Sequence, residues 1–308
     1  MEAAQILRAG GLVAFPTETV YGLGARAFDA AAARRVYRAK GRPSDNPLIV
    51  HVDGESMLKR VARRVPPLAR RLIDAFWPGP LTLILDKTAA VPAAVTGGRR
   101  TVAVRCPGHA AARALIRALG EPVAAPSANR SGRPSPTTAA HVLRDLRGRV
   151  PLILDGGPCR KGLESAIVDA RGRRPVLLRP GTITSEALAR AAGAPVAAPG
   201  RSAPAAPGTR HRHYAPSCPV VLIPPALVRK GFAGIGARDG LIHRSAWNGN
   251  PLKRVQRLPG GVSAYARGLF AAVRAAEGAG VRTLYVETVP DRGIGRAVMD
   301  RLRRAAAR

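Results

Sequence analysis

From residue 1 to about 193, short apolar runs alternate with segments whose apolar positions recur at helical spacing, as when strands are interleaved with amphipathic helices. The runs predict strands at Leu12–Phe15, Leu48–Val52, Leu81–Leu85, Thr101–Arg105, Pro122–Ala125, Pro151–Leu154, Ala166–Val168 and Pro175–Leu178. A helix over Ala30–Ala39 has Asp29 as its N-cap and Gly41 as its stop. Further helices are predicted over Pro66–Trp77, opened by proline, His109–Leu119, closed by Gly120, Thr138–Leu146, and Ser185–Ala192, closed by Gly193. This is the pattern of an α/β or α+β domain with a large mixed sheet. Residues 194–216 then form a linker, because Ala194–Arg210 carries four prolines and two glycines and no apolar period. No core contacts are expected at that boundary. From 217 to 308 the rhythm returns, with strands Val220–Ile223, Leu252–Leu258 and Thr283–Val286 and helices Ser263–Glu277 and Ile294–Ala306. That predicts a smaller Rossmann-like domain; it lacks a G-x-G-x-x-G, so it is not read as a dinucleotide site.

The 308 residues suffice for two domains, and 46% hydrophobic with 4% aromatic content implies cores of Ala, Val, Leu and Ile. No membrane span or charged-then-apolar leader is visible, so a cytoplasmic protein is expected. Cys106, Cys159 and Cys218 are odd in number and far apart, which argues against a disulfide frame or a zinc site. A net charge of +31 invites a nucleic-acid reading. Only six of the fifty basic residues are Lys, however, and the arginines are spread over nearly every element of an Ala-, Gly- and Pro-rich chain without interleaved aromatics. Biased codon usage accounts for that pattern better than specific RNA recognition, and charge alone leaves weak, non-specific RNA contact.

Candidate chemistry is densest from Phe15 to His51. A strand runs into the low-bulk loop Pro16-Thr17-Glu18-Thr19-Val20-Tyr21-Gly22-Leu23-Gly24, whose backbone N–H groups can face a ligand, and the helix that follows ends on Lys40-Gly41-Arg42-Pro43-Ser44-Asp45-Asn46-Pro47. Two cations so close repel unless an anion separates them, so the segment reads as a phosphate site. Taken alone, a basic helix end complementing the helix dipole fits as well. Thr101–Arg105 delivers an Arg to a strand end, where open α/β sheets place ligands and where a lone Arg is ordinarily a surface residue. Pro126-Ser127-Ala128-Asn129-Arg130-Ser131-Gly132, followed by Ser135, is a second loop of small polar groups, of a kind that commonly makes local turn bonds. His211 and His213 lack a nearby carboxylate and read as loop residues rather than metal ligands.

The whole string closely resembles the YrdC-like family of L-threonylcarbamoyladenylate synthases. Lys40-Gly41-Arg42 with Ser127-Ala128-Asn129 matches its paired Lys-x-Arg and Ser-x-Asn signature. Asp155–Asp169 and Leu178-Arg179-Pro180-Gly181 resemble its third and fourth stretches, and Gly293–Arg304 resembles the end of its long, two-domain branch. The resemblance implies a YrdC-like twisted mixed-sheet domain followed by the Rossmann-like one. It also implies formation of L-threonylcarbamoyl-AMP and pyrophosphate from L-threonine, bicarbonate and ATP, with Mg²⁺ carried on the ATP phosphates. The product would feed a separate transferase that modifies the adenosine beside the tRNA anticodon. Residue by residue, the match gives Lys40 and Arg42 catalytic roles. It places Arg42, Asn46, Thr101, Ser127, Asn129, Ser135, Arg179 and Tyr214 on ATP, and Thr19, His51, Arg105, Ala125 (through its backbone) and Ser165 on threonine. The linker would fold back as a lid, with Tyr214 and either Arg212 or His213 on the nucleotide. Ala166 stands where the family usually has a hydroxyl, and Thr209 and His211 where it has Met and an aromatic. Two other classes are an RNA-binding module without turnover and a carbamoyl-transfer enzyme of hydrogenase maturation; the second would carry zinc-type cysteine pairs that this chain lacks.

Overall fold

A computed structural model describes residues 2–200, 204, 206–208, 213–231, 234–247, 249 and 252–307. Thr209, Arg210, His211 and Arg212 lie outside the described residues, so the departures at Thr209 and His211 have no structural account.

The first part runs α1 (Glu2–Arg8), β1 (Val13–Phe15), β2 (Gly22–Arg26), α2 (Ala30–Lys40), β3 (Ile49–His51), α3 (Glu55–Val61), α4 (Pro67–Phe76) and β4 (Leu81–Asp86). It continues with α5 (Ala93–Thr96), β5 (Thr101–Arg105), α6 (Ala110–Leu119), β6 (Val123–Ala125), α7 (Ala139–Leu146), β7 (Leu152–Ile153), β8 (Ala166–Asp169), β9 (Val176–Arg179) and α8 (Ser185–Ala192). Its nine strands form one mixed sheet in the order β7-β1-β2-β6-β3-β5-β4-β8-β9. The predicted caps are in place: Asp29 accepts from the N–H groups of Ala31 and Ala32, and Gly41, Gly120 and Gly193 close α2, α6 and α8 in the left-handed region; Thr138 and Thr184 also cap α7 and α8. Leu188 and Ala192 of α8 belong to the main core, and Arg71 of α4 donates to the Ala192 carbonyl.

The loop read from Gly22-Leu23-Gly24 is in fact strand β2, paired antiparallel to β1 and β6. Glycine is there for packing: a Cβ on Gly24 would stand 2.8 Å from Val123 Cγ1 and 2.9 Å from Phe15 Cε1.

The second part comprises β10 (Val220–Ile223), α9 (Pro225–Lys230), β11 (Gly240–His243), β12 (Arg254–Arg257), α10 (Val262–Gly278), β13 (Leu284–Glu287) and α11 (Gly295–Ala306). Its four strands are all parallel, in the order β10-β13-β11-β12, with β11 the strand that the sequence pattern did not predict. The two parts share a core, contrary to the expectation of an empty boundary. Val20 and Leu163 pack with Tyr265, Phe270, Val298 and Leu302, and Tyr214 from the linker lies in the same cluster. Gly162, at φ 74°, comes so close to α10 that a Cβ there would sit 2.3 Å from the Arg267 carbonyl oxygen. Among the described residues no helix is long and apolar enough to cross a membrane.

Candidate active site

Strand ends converge on one cavity. His51 and Arg105 are register partners at the ends of parallel β3 and β5, so their side chains emerge side by side. Ala125 ends β6, Ser165 immediately precedes β8, and Arg179 ends β9. The cavity is lined by these residues together with Thr17, Thr19, Arg42, Ser127 and Glu164, and it is covered by Pro207, Gly208, His213 and Tyr214 from the linker. With that cover down, its interior volume is about 50 Å³. That is far below the roughly 300–1,000 Å³ typical of sites for larger ligands.

The walls are built by local hydrogen bonding. Thr17 Oγ1 takes the backbone N–H groups of Thr19 and Val20 and lies 2.7 Å from Thr19 Oγ1, which folds the Thr17–Val20 turn. Glu18 projects away from the cavity to pair with Arg105 at 2.6 Å, and its second oxygen accepts from Gly108 N–H. Arg105 also donates through Nε to the Gly79 carbonyl, which leaves Nη1 as the nitrogen uncommitted to these two partners. Ser165 Oγ is 2.7 Å from Thr82 Oγ1. Arg179 donates to the Ser165 carbonyl and, through Nη1, to Pro207 in the cover.

Lys40 and Arg42 are not arranged as a free pair of cations. Lys40 donates to the carbonyls of Ser127 and Asn129, binding the second loop to the end of α2, whereas Arg42 lines the cavity and donates to the carbonyls of Asn46 and Pro47. Both are buried, and burial lowers both pKa values: Arg42 to about 10 and Lys40 well below the usual ammonium value. Asn129, Asn46 and Ser135 stand behind the wall. Asn129 accepts from Ser127 Oγ, Asn46 Oδ1 accepts from Gly208 N–H of the cover, and Ser135 donates to Glu164. Thr101 is not brought to the cavity: it begins β5, four residues before Arg105, roughly 13 Å at strand rise.

Electrostatically the cavity is built for an anion. Arg42, Arg105 and Arg179 line or point into it, while the two adjacent carboxylates, Glu18 and Glu164, are each already paired with a guanidinium, of Arg105 and Arg301 respectively. His51 is held neutral, its pKa pushed down to about 3 by burial and by the neighbouring Arg105, and its Nδ1 has no hydrogen-bond partner among the described residues. A buried nitrogen without a partner in a cavity wall is a position that a water or a ligand atom can satisfy. Burial pushes the Cys106 and Cys159 thiols up to about 11 and about 12, so neither is an activated nucleophile.

Sequence reasoning missed Glu18, Glu164 and Arg301. Glu164 and Arg301 are 137 residues apart, and their pairing has no local signal.

Known proteins similar to this chain cover nearly its whole length. The family described as "Telomere recombination" (Sua5, YciO and YrdC proteins) matches residues 5–181, and the "Threonylcarbamoyl-AMP synthase, C-terminal domain" family matches residues 183–307. The threonylcarbamoyl-AMP synthase of Pyrococcus abyssi is 44% identical over 318 residues, covering 99% of this chain and 93% of the relative. That of Bacillus subtilis is 43% identical, covering 99% and 92%. The crystal structure of P. abyssi Sua5 complexed with L-threonine superposes with a TM-score of 0.90 at 42% identity, over 99% of this chain and 93% of that one. Because both family matches and the full-length similarity extend through the linker into the second sheet, the chain belongs to the threonylcarbamoyl-AMP synthases, in the branch that carries the C-terminal domain.

Proposed function

We propose that this chain condenses L-threonine, bicarbonate and ATP to L-threonylcarbamoyl-AMP and pyrophosphate, for modification of the adenosine beside the tRNA anticodon by a separate transferase. The observation that carries the reading is the convergence of Arg42, Arg105 and Arg179 on one linker-covered cavity whose neighbouring carboxylates are already paired with guanidiniums.

The chemistry follows from the charges. The threonine amine and bicarbonate form a carbamate with loss of water. A carbamate oxygen bonds to the α-phosphorus of ATP as the bond to the bridging oxygen breaks, and pyrophosphate leaves. Two anions must meet, so cations that offset their repulsion and the charge on the leaving group do most of the work. Arg42 and Arg179 fit that role directly. Lys40 fits it by holding the loop of Ser127 and Asn129 in place. Nη1 of Arg105 is available to the threonine carboxylate, and Thr19, neutral His51 and Ser165 to its polar groups. Catalysis is positioning without a covalent nucleophile. Mg²⁺ would ride on the ATP phosphates and offset their charge; the committed pairing of Glu18 and Glu164 fits that arrangement.

Omission experiments test the reading. Pyrophosphate release and adduct formation should require L-threonine, bicarbonate and Mg·ATP together, and equal pyrophosphate release without an amino acid would make this a plain ATPase.

A further inference from the structure

The C-terminal domain sends one fully buried cation to the back of the cavity. Arg301 of α11 donates from Nε to Glu164 Oε2 at 2.9 Å and from Nη1 to Asp300 at 2.6 Å, and its guanidinium carbon lies 5.3 Å from the centre of the Tyr214 ring. Glu164 and Tyr214 both line the cavity, and the other Glu164 oxygen accepts from Ser135 Oγ. Thus one guanidinium touches two wall residues and, through Glu164, steadies a third group assigned above to the nucleotide.

A buried carboxylate beside a polyphosphate site is a liability. Left alone, Glu164 would repel ATP and attract the nearest remaining cation. Arg179 is that cation: it interacts electrostatically with Glu164, yet its hydrogen bonds go to Ser165 and Pro207. Arg301 already occupies the carboxylate, so Arg179 remains directed at the cavity.

We propose that Arg301 is a positioning residue of the nucleotide site: from the C-terminal domain it holds Glu164 in an ion pair, keeps Ser135 and Tyr214 in place, and keeps Arg179 at the cavity wall, bonded to Ser165 and Pro207 rather than drawn onto Glu164. The assignment of Arg179, Ser135 and Tyr214 to ATP rests on the function proposed above. It gives the second domain a role in substrate binding and ties that role to one side chain.

The test compares the full-length chain with Arg301→Met, Arg301→Lys and the double variant Arg301→Met/Glu164→Gln, measuring Mg·ATP and threonine affinities by calorimetry, both KM values and the melting temperature. Arg301→Met should weaken ATP by about tenfold or more, the worth of one charge-assisted contact, and leave threonine within about twofold. Arg301→Lys, which keeps the charge and loses the fork, should fall between. The double variant should regain most of the ATP affinity, because Gln can still accept from Ser135 but no longer draws Arg179. ATP and threonine affinities that fall together, in step with the melting temperature and without recovery in the double variant, would make Arg301 a purely structural residue; unchanged ATP affinity in Arg301→Met would equally overturn the proposal. If Arg301→Met does not fold, the Lys and double variants, neither of which strands a buried charge, give the same comparison. Wild-type protein that binds ATP but shows no threonine-dependent pyrophosphate release would refute the proposed reaction, and the ATP ranking of the variants would still decide the role of Arg301.

Discussion

Arg105 and Glu18 are joined by a 2.6 Å hydrogen bond in which both side chains are buried, and the pair fixes Arg105 before any ligand arrives. Glu18 takes Nη2 and the Gly79 carbonyl takes Nε, so the guanidinium plane is set and Nη1 is presented without a search through rotamers. Arg105→Lys should therefore weaken threonine binding and leave ATP binding nearly intact, since an ammonium cannot serve three directions from one plane. Calorimetry with each ligand separately checks this; a loss confined to ATP would reverse the assignment.

Lys40→Ala and Arg42→Ala should weaken ATP more than threonine, Arg42→Ala by roughly 1.5–3 kcal/mol for a charge-assisted contact and Lys40→Ala indirectly, by loosening the Ser127–Asn129 loop. The two should differ in stability. Lys40 ties α2 to the Ser127–Asn129 loop, so its removal should also lower the melting temperature through that loop. Melting curves measured with and without saturating ATP separate the two effects.

Serine should be used in place of threonine with a kcat/KM lower by about 1–3 kcal/mol, the worth of one methyl contact in a closed pocket. Competition between the two amino acids, followed by adduct mass, gives the ratio directly.

Stability should fall on acidification in two stages. His51 is held neutral with its pKa near 3, against an ordinary 6.5, so between those values the unfolded chain binds a proton that the folded chain refuses, and stability is lost as pH falls below about 6.5. For Glu18 and Glu164 burial acts to raise the pKa, but the attached guanidiniums outweigh it and hold both below 4.5; their contribution is present above 4.5 and is lost as pH falls toward the lowered values. Melting temperature measured from pH 8 to pH 3 should decline accordingly, and His51→Gln should flatten the upper part of the curve. No change in slope with that variant would show that His51 titrates freely.

Truncation after Gly193 should be far more damaging than a proline-rich boundary suggests. It would take Arg274 from Asp145 and Arg301 from Glu164 and would expose the apolar Val20 and Leu163, with the rest of the shared core, to water. The truncated chain should aggregate or melt many degrees lower, as thermal melting and light scattering would show.

Tyr214→Ala should lower the melting temperature as well as the proportion of adenylate retained per pyrophosphate formed. The ring stacks on Phe270 at 5.5 Å and is 2% exposed, and truncating a buried aromatic costs about 3–5 kcal/mol. Sequence alone suggests an exposed lid residue whose loss is thermally silent, so the melting temperature is the discriminating measurement.

What the sequence determined by itself were the features with local causes. Helix ends were legible at Asp29, Gly41, Thr138 and Gly193 because capping is settled within a few residues. Strands such as Leu81–Asp86 and Thr101–Arg105 were legible because buried apolar runs mark themselves. The chemistry-bearing loops were legible through the resemblance of their motifs. Only tertiary structure decided the rest. Gly22–Arg26 became a strand because Phe15 and Val123 fill the space that its missing side chains leave, and no pattern within the segment says so. Thr101 and Arg105 share a strand, yet its length carries Thr101 away from the cavity. Glu18 and Glu164 look like ordinary acidic residues until Arg105 and Arg301, 87 and 137 positions away, are folded against them. A buried charge is defined by its partner, and partners so distant in the chain are chosen by the fold.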